Sequence, residues 1–156
     1  MGDFTASGEA YGWRRGDPGD MTLRCLIVDD SRRFLDAAGG LLERQGIDVV
    51  AVASTSAEAL RLAKELRPDV LLLDVYLGGE SGFELARRLC REAGTPASPM
   101  ILTSTHAEED LADLIAASPA IGFLPKASLS GDAIRAMLGG RDGRDGCEPV
   151  SGPRGR

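Results

Sequence analysis

The chain has 156 residues, of which 43% are hydrophobic and only 4% aromatic, so we expect one domain with an aliphatic core. A net charge of −6 argues against a nucleic-acid-binding surface, because phosphate backbones are bound by clustered Lys and Arg side chains. No apolar run approaches the roughly 20 residues that a membrane-spanning helix needs, and the start of the chain does not resemble an export signal. We therefore expect a cytoplasmic protein that binds neither nucleic acid nor membrane.

Both ends of the chain have the composition of flexible segments. Residues 1–21 are rich in Gly, Asp, Arg and Ser without hydrophobic periodicity, and residues 140–156 contain repeated Asp-Gly and a Gly-Pro pair. Neither composition supports a helix or a strand. We predict a disordered N-terminal arm over 1–21, one folded domain over 22–139 and a disordered C-terminal tail over 140–156.

Between these ends, apolar strand patterns alternate with amphipathic helix patterns. Residues 23–28 predict the first strand, and the helix pattern after it is capped by Ser31 and stopped by Gly46. Residues 47–53 predict the second strand. The helix after it is expected to have Ser56 as its N-cap and to end before Pro68.

Three more strand patterns follow, at residues 70–74, 99–102 and 121–124. The helices after them are indicated by apolar residues at helical spacing: Phe83, Leu85, Ala86 and Leu89; Leu111, Leu114 and Ile115; Ile134, Met137 and Leu138.

Five strand–helix units predict a parallel sheet with helices on both faces. They are too few for an eight-unit barrel, and Asp29-Asp30-Ser31 stands where a dinucleotide-binding fold has its glycine motif. We therefore predict a flavodoxin-like (βα)5 doubly wound α/β fold with strand order 2-1-3-4-5.

Carboxylates follow two of the predicted strands. Asp29 and Asp30 come directly after the first strand, and Asp74 ends the third. In a flavodoxin-like order these strands are neighbours, and ligands bind at the carboxyl ends of the strands. We therefore expect the three acids to share one pocket. The fourth strand runs into Thr103 and the fifth into Lys126, which adds a hydroxyl and an ammonium at the same edge.

An acidic pocket of this kind predicts a bound hard cation. Three neighbouring carboxylates repel one another unless a cation lies among them, and Mg²⁺ suits such oxygens while keeping waters that a phosphoryl oxygen can replace. Asp74 is then the candidate nucleophile toward a phosphoryl donor, assisted by Lys126 and Thr103. Alternatively, the acids are ordinary helix caps and solvated loop residues, which is the better interpretation for any one of them alone.

The pocket residues, taken together, resemble those of the receiver domains of two-component response regulators. The spacing between Asp30 and Asp74, the glycine at Gly82 after the acceptor position and the aromatic ring at Phe123 before the lysine are similar to those of chemotaxis-type receivers. The resemblance spans about residues 23–138. The chain departs from the usual pattern where Leu77-Gly78 replaces Met-Pro after the acceptor and where a non-proline residue follows the lysine.

The resemblance implies a role for each residue of the pocket. Asp74 would be the phosphorylated residue, and Mg²⁺ would be bound by Asp29, Asp30, Asp74 and the backbone carbonyl of Tyr76. Lys126 would bind the phosphoryl group. Thr103 and Phe123 would be the switch residues, and the ring of Phe123 is expected to turn inward after phosphorylation.

The resemblance implies a stand-alone receiver that accepts a phosphoryl group from a histidine kinase or a phosphotransfer protein, and that is not itself an enzyme. It would signal to a downstream protein through the surface of the fourth helix, fifth strand and fifth helix, and a phosphorylation-dependent homodimer is left open. One alternative is a pseudo-receiver that binds partners without phosphorylation. Another is an aspartyl-nucleophile phosphatase, which is disfavoured because no Asp-x-Asp follows the first strand.

Overall fold

The computed structural model describes residues 22–92 and 98–139. The arm predicted over 1–21 and the tail predicted over 140–156 lie outside the described residues, so the domain boundaries stay a prediction. Within the described residues, no helix has the length and apolarity needed to cross a membrane.

The described chain alternates strands and helices as expected. The strands are β1 (Arg24–Val28), β2 (Asp48–Ala53), β3 (Val70–Asp74), β4 (Tyr76–Leu77), β5 (Glu80–Ser81), β6 (Met100–Ser104) and β7 (Gly122–Pro125). The α-helices are α1 (Arg32–Arg44), α2 (Ser56–Leu66), α3 (Gly82–Glu92), α4 (Ala112–Ala116) and α5 (Gly131–Gly139), and short 3₁₀ helices cover Glu108–Leu111 and Lys126–Ser128.

Five of these strands form one parallel sheet in the order β2-β1-β3-β6-β7. Because β6 and β7 are the fourth and fifth strands of the sheet, the predicted order 2-1-3-4-5 and the flavodoxin-like fold are confirmed. The other two strands, β4 and β5, pair antiparallel in a small hairpin that the sequence analysis did not predict. Gly78 turns this hairpin with φ 61°, a left-handed conformation that favours glycine.

The core has two layers because successive side chains of a strand point to opposite faces of the sheet. In β1, Leu26 and Val28 pack on one face and Cys25 and Ile27 on the other. The first face is covered by α2 and α3, and we call its buried residues the α2–α3 cluster. The opposite face is covered by α1 and α5, and its buried residues form the α1–α5 cluster. Burial on both faces explains why the strand patterns read as continuous apolar runs.

One local prediction, the N-cap of α2, is wrong. The N-cap of α2 is Thr55, whose side chain accepts the N–H of Glu58, whereas Ser56 is the first helical residue and its N–H donates to Glu80 Oε1 at 2.9 Å. Leu114, one of the apolar residues that indicated the fourth helix, is 51% exposed rather than packed in the core. The reason is that α4 has only five residues and follows a 3₁₀ turn, so the assumed helical period does not hold across the segment.

Candidate functional site

The strand register brings the predicted pocket together at the carboxyl edge of the sheet. Val28 of β1 pairs with Leu73 of β3. The residues that follow them, Asp29 and Asp74, therefore lie side by side at the edge of the sheet. The N–H of Asp29 continues the ladder by donating to Ala53 at 3.0 Å. These two side chains therefore face one crevice without any special loop geometry.

Asp30 completes the acidic group. One carboxylate oxygen from each of Asp29, Asp30 and Asp74 lies within 4.8 Å of the others. Asp29 and Asp74 are buried, whereas Asp30 is exposed. The prediction that folding gathers these three acids is thus confirmed by their geometry.

Asp29 is held at both of its carboxylate oxygens. Its Oδ1 accepts the backbone N–H of Ser31 at 2.8 Å. Its Oδ2 lies 2.6 Å from Lys126 Nζ as an ion pair, but within the described residues it accepts no hydrogen bond of good geometry. Because this oxygen is fully buried, it is a strong acceptor with coordination capacity left over.

Lys126 follows the last strand of the sheet and reaches across the crevice. Its Nζ is 3.5 Å from Asp74 Oδ2, farther than from Asp29, and 4.4 Å from the centroid of the Phe34 ring. The side chain is only 15% exposed. The predicted ammonium therefore lies at the pocket, between two carboxylates and an aromatic face.

The environment of Asp74 favours its protonated form. The pKa of Asp74 is raised to about 6, mainly because the side chain is buried. Repulsion by the Asp29 carboxylate raises this pKa further, and attraction by Lys126 opposes the rise. The N–H of Tyr76 donates to Asp74 Oδ1 at the long distance of 3.4 Å and offsets only part of this effect. A carboxylate in this position gains from a nearby positive charge.

The two residues predicted to switch lie on the two strands beyond the acid, Thr103 on β6 and Phe123 on β7. Thr103 is buried and pairs with Asp74 in the β3–β6 register, so it stands directly beside the proposed acceptor. Phe123 was expected to turn inward only after phosphorylation, but its ring is already buried in the α2–α3 cluster. The apolar ring gains by leaving water, which makes the inward position favourable without a phosphoryl group.

Close packing explains why position 82 is a glycine, which the sequence alone did not reveal. A Cβ at this position would lie 2.1 Å from the carbonyl oxygen of Asp74 and 2.7 Å from Cα of Val75. The N–H of Gly82 also donates to the Val75 carbonyl at 2.9 Å. The start of α3 therefore packs directly on the backbone that carries the proposed acceptor.

Other residues at the site were missed or given no role. Phe34 is one of the apolar residues of α1, and its position over Lys126 depends on a contact that is distant in sequence. Glu80 accepts the N–H of Ser56, which lowers the pKa of this glutamate and ties the hairpin to the start of α2. His106 is exposed, and the centroid of its ring lies 5.0 Å from that of the Tyr76 ring.

The donor set fits a divalent hard cation. Three carboxylates and one ammonium leave a formal charge of −2 (−3 + 1 = −2) in a largely buried pocket. Asp29 Oδ2 keeps coordination capacity, and all the side-chain donors are oxygens, which Mg²⁺ prefers. The geometry therefore supports the predicted Mg²⁺ ligands among the side chains, while the Tyr76 carbonyl stays a prediction.

Comparison with known families agrees with this fold and site. The sequence matches the response regulator receiver domain over residues 25–138, so the chain belongs to the receiver domains of two-component response regulators. Receiver domains of this family accept phosphoryl groups from histidine kinases or phosphotransfer proteins and generally bind Mg²⁺ in an acidic pocket.

Individual relatives cover the same region. The transcriptional regulatory protein LiaR of Bacillus subtilis is 34% identical over 76% of this chain and 57% of its own length, so the chain spans little more than half of that relative. Protein PilH of Pseudomonas aeruginosa is 36% identical over 55% of this chain and 70% of its own. A Burkholderia pseudomallei response regulator, solved with a phosphorylated aspartic acid and a calcium ion, is 28% identical with a TM-score of 0.63, covering 74% of this chain and 66% of that one.

Proposed function

We propose that this protein is a phospho-acceptor that takes a phosphoryl group on Asp74 and passes the signal on through a change of conformation. The observation that carries the proposal is the convergence of three carboxylates and an ammonium around one crevice, with buried Thr103 in register with Asp74. The phosphorylated aspartic acid of the Burkholderia relative supports the same chemistry here. The protein would be a substrate of its donor rather than an enzyme with a separate substrate.

Asp29, Asp30 and Asp74, with the carbonyl of Tyr76, would hold Mg²⁺. When bound, the ion supplies positive charge that offsets the negative charge on the transferring phosphoryl group. The calcium ion in the Burkholderia structure supports a divalent cation at this type of site.

In the proposed step, a carboxylate oxygen of Asp74 bonds to phosphorus while the bond from phosphorus to the donor atom breaks. With acetyl phosphate as donor, acetate leaves with the electron pair of that bond, and no proton needs to move. Lys126 is close enough to Asp74 to pair with the new phosphoryl oxygens after a small displacement. Thr103 lies in register with Asp74, and its hydroxyl would donate a hydrogen bond to a phosphoryl oxygen.

Switching would follow from the charge added at Asp74. A phosphoryl group brings roughly −1.5 to −2 charges and new acceptor oxygens, which favour the conformation in which Thr103 and Lys126 contact it. Phe123 pairs in register with Leu102, the residue before Thr103, so we propose that phosphorylation biases its buried and exposed positions. The surface of α4, β7 and α5 would then signal to a downstream protein, or to a second copy of the chain.

In the cell, the protein would act as a stand-alone receiver. A stand-alone receiver is supported by the relative PilH, of which the matched region makes up 70%. The donor would be a histidine kinase or a phosphotransfer protein, as for other receivers. A cytoplasmic location remains the prediction made from the sequence.

The test is electrophoresis on a phosphate-binding gel after incubation with acetyl phosphate. We expect a shifted band for the wild type in Mg²⁺, no shift with EDTA, and no shift for Asp74→Asn. The exposed variant Asp36→Asn is the matched control and should shift as the wild type does.

Other outcomes identify the alternatives. A wild type that never shifts, and whose spectrum does not respond to beryllofluoride with Mg²⁺, would indicate a pseudo-receiver. Sustained hydrolysis of a chromogenic phosphate ester that requires Asp74 would indicate a phosphatase. Either result would overturn the proposal.

A further inference from the structure

We propose that Phe34 is a positioning residue for phosphoryl transfer, acting by holding the ammonium of Lys126 against the acidic pocket. This inference rests on the proposed function and adds a residue to it. The observation behind it is that the Phe34 ring centroid lies 4.4 Å from Lys126 Nζ, within the range of a cation–π contact.

The ring is placed by the same turn that fixes Asp29. Asp29 Oδ1 accepts the N–H of Ser31 at 2.8 Å, and Ser31 Oγ in turn accepts the N–H of Phe34 at 3.2 Å as the N-cap of α1. Two consecutive hydrogen bonds therefore connect the carboxylate on one side of Lys126 to the ring on another. The same turn therefore carries both the carboxylate and the ring that contact the ammonium.

An aromatic ring suits this position better than another acid would. The ring attracts the ammonium through its quadrupole but accepts no conventional hydrogen bond, so the N–H donors of Lys126 stay available for phosphoryl oxygens. It also carries no net charge, so it adds nothing to the repulsion among Asp29, Asp30 and Asp74 and offers no ligand to a cation.

Lys126 needs such a holder because its side chain is long and flexible. Fixing a lysine side chain has a substantial entropic cost, which the ring contact helps to offset together with the carboxylate contacts at 2.6 and 3.5 Å. The residue also starts a short 3₁₀ helix after β7, so its backbone lies at the end of the sheet rather than within it. A ring from α1 restrains the end of the side chain where the chemistry takes place.

The test measures the rate of phosphorylation by acetyl phosphate in saturating Mg²⁺. Phe34→Leu keeps an apolar side chain but removes the ring face, and we expect a loss of roughly three- to thirtyfold in rate. Phe34→Tyr keeps the ring and should stay within about twofold of the wild type. The matched control is Phe83→Leu, because Phe83 packs in the α2–α3 cluster on the opposite face of the sheet, and its rate should also stay within about twofold.

A double-mutant cycle shows whether the effect acts through Lys126. The unfolding equilibria of the wild type, Phe34→Leu, Lys126→Met and the double variant should show a coupling of roughly two- to thirtyfold between the two positions. No coupling, or equal rate losses in Phe34→Leu and Phe83→Leu, would overturn the inference. A wild type that is not phosphorylated at all would overturn the proposed function instead, so the two failures are distinguishable.

Discussion

Lys126 Nζ lies 2.6 Å from Asp29 Oδ2 but 3.5 Å from Asp74 Oδ2, so the ammonium pairs most closely with the proposed metal ligand rather than with the proposed acceptor. Asp29 is fully buried, and the ammonium is the positive charge that balances it. A divalent cation at the same acids would take over this balancing role. Lys126 and Mg²⁺ should therefore compete for Asp29.

The first prediction concerns Lys126→Met in protein without divalent cations. Removing the ammonium leaves buried Asp29 without compensation, so the free energy of unfolding should fall by about 1–3 kcal/mol, less than for a fully buried pair. Urea unfolding in EDTA measures this value, and Mg²⁺ should recover more stability in the variant than in the wild type. The control is Lys64→Met, the same substitution at an exposed position in α2. Equal stability of the two variants would contradict the balancing role of Lys126, and equal recovery by Mg²⁺ in Lys126→Met and the wild type would contradict the competition.

The second prediction concerns pH and Asp74. Its pKa in the folded protein is about 6, above the ordinary value of 3.8, so the folded state binds this proton more tightly than the unfolded state does. The resulting decrease in the free energy of unfolding is absent below about pH 4 and complete above about pH 6. Asp74→Asn should therefore unfold like the wild type at pH 4 in EDTA and be more stable by about 1–3 kcal/mol at pH 7.5.

The prediction is tested by comparing the stability difference between Asp74→Asn and the wild type at pH 4 with that at pH 7.5. Asp36→Asn, an exposed control on α1, should differ little from the wild type at either pH. A gain for Asp74→Asn that is the same at pH 4 and pH 7.5 would show that titration of Asp74 is not its cause.

The third prediction concerns Gly82→Ala. The new methyl group would lie 2.1 Å from the Asp74 carbonyl oxygen, so the start of α3 must move away from the end of β3. We expect a loss of about 2–4 kcal/mol in stability, measured by urea unfolding. Gly79→Ala is the control, since no atom lies within 4 Å of its Cβ position. Similar small losses in both variants would show that α3 is not packed on the acceptor backbone as described.

The fourth prediction concerns the lifetime of the phosphorylated form. Tyr76 is two residues beyond Asp74, and its ring lies against that of His106, which is anchored to β6 by a hydrogen bond of 2.9 Å from its N–H to Ser104 Oγ. Together with Thr105, which directly follows β6, this ring should restrict water at the acceptor, so we predict a long-lived phosphoaspartate. In Tyr76→Ala, decay followed by gel shift should be faster, and decay of the wild type within seconds would contradict the prediction.

Most of the fold was readable from the sequence because strands that are buried on both faces leave continuous apolar runs. The gathering of Asp29, Asp30 and Asp74 followed from the same signal, since the strand ends define one edge of the sheet. Leu114 lies outside the core because a 3₁₀ turn shifts the phase of a short helix. The β4–β5 hairpin was missed because each of its strands has only two residues, too few to show a period.

Two features of the site could not be read from the sequence for a different reason. The contact between Phe34 and Lys126 joins the first helix to the end of the last strand, and no local pattern indicates which apolar residue of α1 will face an ammonium. The need for glycine at Gly82 depends on how closely α3 approaches the Asp74 backbone. The family resemblance marked that glycine, but only the packing explains it.

Peptide mass spectrometry of the wild type after acetyl phosphate treatment tests the proposed role of Asp74 most directly. Reduction of the acyl phosphate by borohydride converts the modified aspartate into a stable marker, which can be assigned to one residue. We predict a single modified position, Asp74, that appears with Mg²⁺ and disappears with EDTA. A marker on Asp29 or Asp30, or equal labelling of the Asp74→Asn variant, would contradict the assignment of Asp74 as the acceptor.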